Sequence, residues 1–174
     1  MDSVLLEITR GGRVESVHRG HVAFVDDSGQ LVAFDGDPEN ASYFRSCGKP
    51  FQSIPLVATG AANAFGFSTE ELALACASHD GTDRHHDVVC SMLRKAGLLG
   101  CGESDPLDEE ERARVTLGIS RASAVSCECS GEHAGMLAVC NHMGWPLETY
   151  TERNHPLQQE ILHILASVSG VSVP

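Results

Sequence analysis

The chain has 174 residues, enough for one domain of ordinary size; 42% of them are apolar and 5% aromatic, so its core must come mostly from Ala, Val and Leu. A net charge of −12, from 24 acidic against 12 basic residues, argues against nucleic-acid binding, which needs a basic footprint to replace counterions on phosphates. No run of about 18 apolar residues is present, so no membrane-spanning helix is expected.

The N-terminus, MDSVLLEITRGG, lacks a basic n-region and a cleavage site, which points to a cytoplasmic protein. The seven cysteines, Cys47, Cys76, Cys90, Cys101, Cys127, Cys129 and Cys140, are then expected as reduced thiols. The first forty residues read as β-structure. SVLLEITRGG, VESVHRG, HVAFVDD and LVAFDGD are short runs rich in β-branched residues, separated by turn residues. Asp27-Ser28-Gly29-Gln30 is a hairpin turn between strands 22–25 and 31–34.

After Lys49 the period becomes helical. Pro50 to about Ala61 reads as one apolar helix with proline in its first turn. Ser68-Thr69-Glu70-Glu71 is a capping box that opens the helix ELALACAS. A helix follows from about Arg84 to Ala96 and stops at Gly97, and LDEEERARV suggests a short surface one. AGMLAVCNHMG is a buried helix ended by Gly144; PLQQEILHILASV is amphipathic, with Pro156 at its first position. Strands first and helices afterwards argue for an α+β chain forming a single domain over residues 1–174. The last residues, SVSGVSVP, offer no closing element.

Three stretches carry candidate chemistry. In YFRSCGKPFQ, Ser46 and Lys49 have the Ser-x-x-Lys spacing of a nucleophile and its base; a surface loop explains the same residues. Gly48 and Pro50 resist a regular helix through Lys49, so the pair is expected on a tight turn. In CASHDGTDRHHD, Ser78 ends the capped helix. His79, Asp80, Asp83, His85, His86 and Asp87 there are metal donors or helix-start residues. In CECSGEHAGM, Cys129, Glu132 and His133 are acceptable zinc donors, or a helix start with buried thiols.

In collinear order these stretches resemble the L-asparaginase II family. The shared features are RSxxKPFQ, an ASH-x-G segment, the Cys101-Gly102 loop, CSG-x-HAGM and HPLQ from His155 to Gln158. The resemblance implies a serine β-lactamase/transpeptidase-like fold, an antiparallel sheet flanked by helices. It also implies hydrolysis of the side-chain amide of L-asparagine to aspartate and ammonia. Ser46 and Lys49 correspond to its Ser–Lys tandem and Ser78 to its second active-site serine. Arg45, His79 and His133 fall on substrate-binding positions, and Cys129 with Glu132 on a zinc site. The partner is then L-asparagine, with neither nucleic acid nor membrane, and a homodimer is an open expectation.

Two departures stand out. Where the family pattern reads CSGKHAGM, with a lysine in the metal site, this chain has Glu132, and ASHSGE reads ASHDGT. Family members are also longer, so the chain is expected to be the N-terminal portion of an asparaginase-like domain. Two other readings stay open: an asparaginase-like binding module without turnover, and another Ser–Lys acyl enzyme of the same fold.

Overall fold

A computed structural model describes residues 2–99 and 125–172. The chain divides into two compact units, Met1–Tyr43 and Phe44–Pro174.

The first unit is all strand. β1 (Ser3–Arg10) pairs antiparallel with β2 (Arg13–Gly20), and β3 (Val22–Val25) pairs antiparallel with β4 (Leu31–Asp35). Instead of one sheet, the described strands form two separate two-stranded ribbons. The expected turn closes the second ribbon. The Asp26 carboxylate accepts the N–H groups of Ser28 and Gln30 at 2.9 Å each, and Gly29 adopts φ +82°.

The second unit is helical. A 3₁₀ turn, Arg45–Gly48, runs into α1 (Lys49–Gln52), followed by α2 (Ile54–Ala58) and α3 (Ala61–Ala64). The single helix expected from Pro50 to Ala61 is therefore broken into short pieces. Pro55 has no N–H to donate into the preceding turn, and Gly60 turns the chain at φ +83°. α4 (Thr69–Ala75) opens on the expected capping box: Ser68 Oγ accepts the Glu71 N–H at 3.2 Å, and Glu71 Oε2 accepts the Ser68 N–H at 2.6 Å.

α5 (Asp83–Lys95), α6 (Ser130–Met143) and α7 (Pro156–Ser169) complete the described helices. α6 is the central element: almost every residue from Ser130 to Cys140 is buried, and it packs on α2, α3, α4 and α5. Its two glycines make this possible. A Cβ at Gly131 would meet the Leu74 carbonyl oxygen at 2.7 Å, and one at Gly135 would crowd Ala75 and Leu56. Leu56, Val89, Met92, Leu93, Leu137 and Leu157 fill the core around it. The α+β class holds. LDEEERARV and the Cys101-Gly102 loop lie outside the described residues. Among the described residues no helix is long and apolar enough to cross a membrane.

Candidate active site

Three segments distant in sequence converge on the Lys49 amine. The first is the tight turn anticipated around Gly48 and Pro50. The Lys49 N–H is held by the Ser46 carbonyl, and Lys49 keeps helical dihedrals (φ −55°, ψ −41°) that a residue before proline ordinarily avoids. Arg45 beside it has φ +49°, unlike any other non-glycine residue described.

The second segment is residues 77–81, just past α4, and the third is the start of α6. They are clipped together. The His79 N–H donates to the Glu128 carbonyl at 3.1 Å, and Gly81 turns at φ +65° where a Cβ would strike the Ser126 carbonyl. The Ser130 hydroxyl donates to the Val125 carbonyl at 2.7 Å, so it accepts from His79 Nε2–H at 2.9 Å. His79 Nδ1 in turn accepts the Gly81 N–H at 3.1 Å. Both ring nitrogens are thus used inside the protein.

Lys49 is 4% exposed and donates from Nζ to Ser78 Oγ at 2.8 Å. The Ala77 carbonyl and Cys129 Sγ lie at 3.3 Å, and Glu132 Oε2 at 3.4 Å. Four acceptors therefore surround a group with three hydrogens to give. Ser78 itself is exposed, so a buried amine carries an accessible hydroxyl. A cleft of about 280 Å³ adjoins that hydroxyl, lined by Leu74, Ser78, His79, Arg84, His85 and Val88 among others.

Burial dominates the electrostatics. It pushes the Glu132 carboxyl above its ordinary value, although the Lys49 charge opposes this. It lowers His133, and the Lys49 charge adds to the effect. Burial also lowers His79, reinforced by His85 and Lys49. Tyr150, whose phenol is raised by burial, hydrogen-bonds His133 Nδ1 at 2.7 Å. His133 is therefore oriented from behind by a group that stays protonated.

Of the residues expected at the site, Lys49, Ser78, Cys129 and Glu132 meet around one amine, with His133 beside them on α6. Arg45 and Ser46 are exposed, and among the described residues no side-chain bond joins Ser46 to Lys49. The described residues do not fit a zinc centre. No three of their His, Cys, Asp or Glu side chains are placed to hold a metal ion, and Cys129 and Glu132 both face the Lys49 ammonium. Residues that sequence reasoning passed over are Ser53, Ser130 and Tyr150. The Ser53 hydroxyl bridges α1 to the end of α4 through the Lys49 and Ala75 carbonyls. Ser130 follows Cys129 directly and could have been flagged by that motif, whereas nothing local marks Tyr150.

A mixed helix-and-strand protein with an exposed serine on a buried lysine has residue types suited to a hydrolase. The family model for L-asparaginase II matches residues 6–174, and the chain belongs to that family, which implies amidohydrolase activity. Among curated proteins, none matches the chain.

Proposed function

We propose that the protein hydrolyses the side-chain amide of L-asparagine to L-aspartate and ammonia, with Ser78 as nucleophile and Lys49 as its base. The observation that carries this reading is the 2.8 Å bond between Lys49 Nζ and the exposed Ser78 hydroxyl. A serine hydroxyl is a weak nucleophile until a base takes its proton, and an amine at that distance is within reach to do so. The serine β-lactamase-like fold belongs to the same proposal.

Once its ammonium has given up a proton to solvent, Lys49 accepts the Ser78 proton as Oγ bonds to the amide carbon. The tetrahedral adduct collapses, the C–N bond breaks, and Lys49 returns the proton to the departing nitrogen, releasing ammonia. Water then cleaves the aspartyl ester by the reverse proton path, freeing aspartate and Ser78. Arg45 and His133 are proposed substrate contacts, Arg45 for a carboxylate and His133 through the ring edge away from Tyr150. His79 supports Ser78 from inside, since its nitrogens are already engaged. No step runs through zinc; a zinc bound at Cys129 and Glu132 would need further donors beyond those described.

Ammonia release from L-asparagine tests the assignment. Ser78→Ala is expected to lower kcat by about a thousandfold or more, as loss of a nucleophile does, and Ser46→Ala to retain most activity. A Ser78→Ala variant as active as the wild type, with Ser46→Ala inactive, would transfer the nucleophile's role to Ser46. Tight asparagine binding without turnover would favour a binding module.

A further inference from the structure

Cys129 and Glu132 sit at the first turn of α6, three residues apart and on one side of the helix. Both are turned onto a single cation. Lys49 Nζ is 3.3 Å from Cys129 Sγ and 3.4 Å from Glu132 Oε2, and the Lys49 and Glu132 side chains are 5% and 8% exposed. Lys49 is further tied to Ser78 and to the Ala77 carbonyl, so four partners hold it in place. Gly131, between the two residues, lies so close to Leu74 that α6 and α4 are in backbone contact there.

We propose that Cys129 and Glu132 form a cradle for the Lys49 ammonium, that Glu132 is thereby the residue positioning Lys49 on Ser78, and that the ammonium takes the place a zinc ion would need. Zinc bonds thiolate sulfur at about 2.3 Å and carboxylate oxygen at about 2.0–2.2 Å. A dication held by both atoms would share their surroundings with an ammonium already within 3.4 Å of each, at a Coulombic cost that burial enlarges. A third donor is lacking too. No three suitable side chains meet among the described residues. The proposal's activity arm rests on the Lys49–Ser78 reading above; its metal arm does not.

The metal arm compares wild type, Lys49→Met, Lys49→Arg and the Lys49→Met/Glu132→Gln double variant. Each is equilibrated with zinc sulfate, freed of unbound metal by gel filtration and measured by plasma mass spectrometry. Wild type and Lys49→Arg, which keeps the cation, are expected to retain little zinc. Lys49→Met should retain about tenfold more, in the range that changes next to a metal site produce, and the double variant should lose that gain. One zinc per wild-type chain surviving dialysis, or no gain in Lys49→Met that melts as a folded protein, overturns the cradle.

The activity arm uses Glu132→Gln and Glu132→Asp. Glu132→Gln should lower kcat about tenfold or more, as loss of an aligned reacting group does, with KM within about twofold and partial recovery in Glu132→Asp. An unchanged kcat, or a deficit repaired by added zinc, removes the positioning role. Should the wild type release no ammonia from asparagine, the proposed activity fails while the zinc measurements still decide the cradle.

Discussion

Two Glu–Lys pairs occupy different junctions of the helical unit, and they differ in how fully the carboxylate is satisfied. At the α4–α5 junction, Glu71 Oε2 accepts the Ser68 N–H at 2.6 Å and Lys95 Nζ at 2.7 Å, while Oε1 accepts the Ser91 hydroxyl at 2.8 Å. At the α1–α6 junction, Glu132 faces Lys49 at 3.4 Å. Both carboxylates are buried, and burial pulls both upward in pKa. For Glu71 the bonds from Lys95, Ser68 and Ser91 more than offset it, and the group ends below its ordinary value. For Glu132 burial wins against Lys49. A carboxylate with every oxygen filled works as a rivet. One that leans on a single cation leaves that cation tied to something else, here a serine hydroxyl.

The sharpest way to break the comparison is to remove each lysine. Lys49→Met is expected to cut ammonia release by about a thousandfold or more, the scale on which a catalytic base is lost from a nucleophile–base pair. Lys95→Met should leave turnover within about twofold while lowering the melting temperature. Equal losses from the two variants would erase the distinction.

Removing the rivet comes next. Glu71→Gln keeps an oxygen for the capping box but gives up the charge that Lys95 pairs with and one of two acceptor oxygens, at a cost of about 1.5–3 kcal/mol in chemical denaturation. Glu132→Gln should cost less stability than that, even as it lowers kcat. Gly131→Ala is expected to cost about 1–3 kcal/mol by forcing α6 away from Leu74, as overpacking does. Activity should fall with it, because the same displacement lifts Cys129 and Glu132 from Lys49.

The smallest effect is a pH slope. His79 titrates lower in the folded protein than its ordinary value because it is buried near His85 and Lys49. As pH falls below about 6.5 the unfolded chain takes up that proton first. The folded state therefore loses stability downward from neutrality, with no contribution from this group well above that value. Glu132 has the opposite sign: its raised pKa makes burial of the charge costly above the folded value, and the cost fades in acid. Melting temperatures from pH 7 to 5.5 should fall in the wild type and less steeply in His79→Gln; parallel slopes would discard the His79 contribution.

Much of this was legible beforehand where the signal is local. The Ser68–Glu71 capping box, the Asp27–Gln30 turn, α5 and its stop near Gly97, and the Gly144 stop of α6 all follow from short-range chemistry. The break of the apolar run at Ser53 and Gly60 is hidden from periodicity, which continues across a proline and a glycine that the backbone cannot carry straight through. At the site, the motifs named Lys49, Ser78, Cys129 and Glu132, but not how they pair. The Ser-x-x-Lys spacing joins Lys49 to Ser46, three residues away, whereas its amine reaches Ser78, supplied by the far end of α4. A carboxylate beside cysteines suggests a metal donor at Glu132, whereas its lysine partner comes from another helix.

The contact between Lys49 and Cys129 closes a span of 80 residues. Closing a long loop costs entropy before any contact rewards it, and long-range contacts slow folding relative to local ones. The capping box and helices can form from neighbours alone, but the Lys49 cradle exists only once both ends of that span have met. During refolding, helical signal should therefore recover ahead of the Lys49–Ser78 contact, and chains caught partway would carry helices without it.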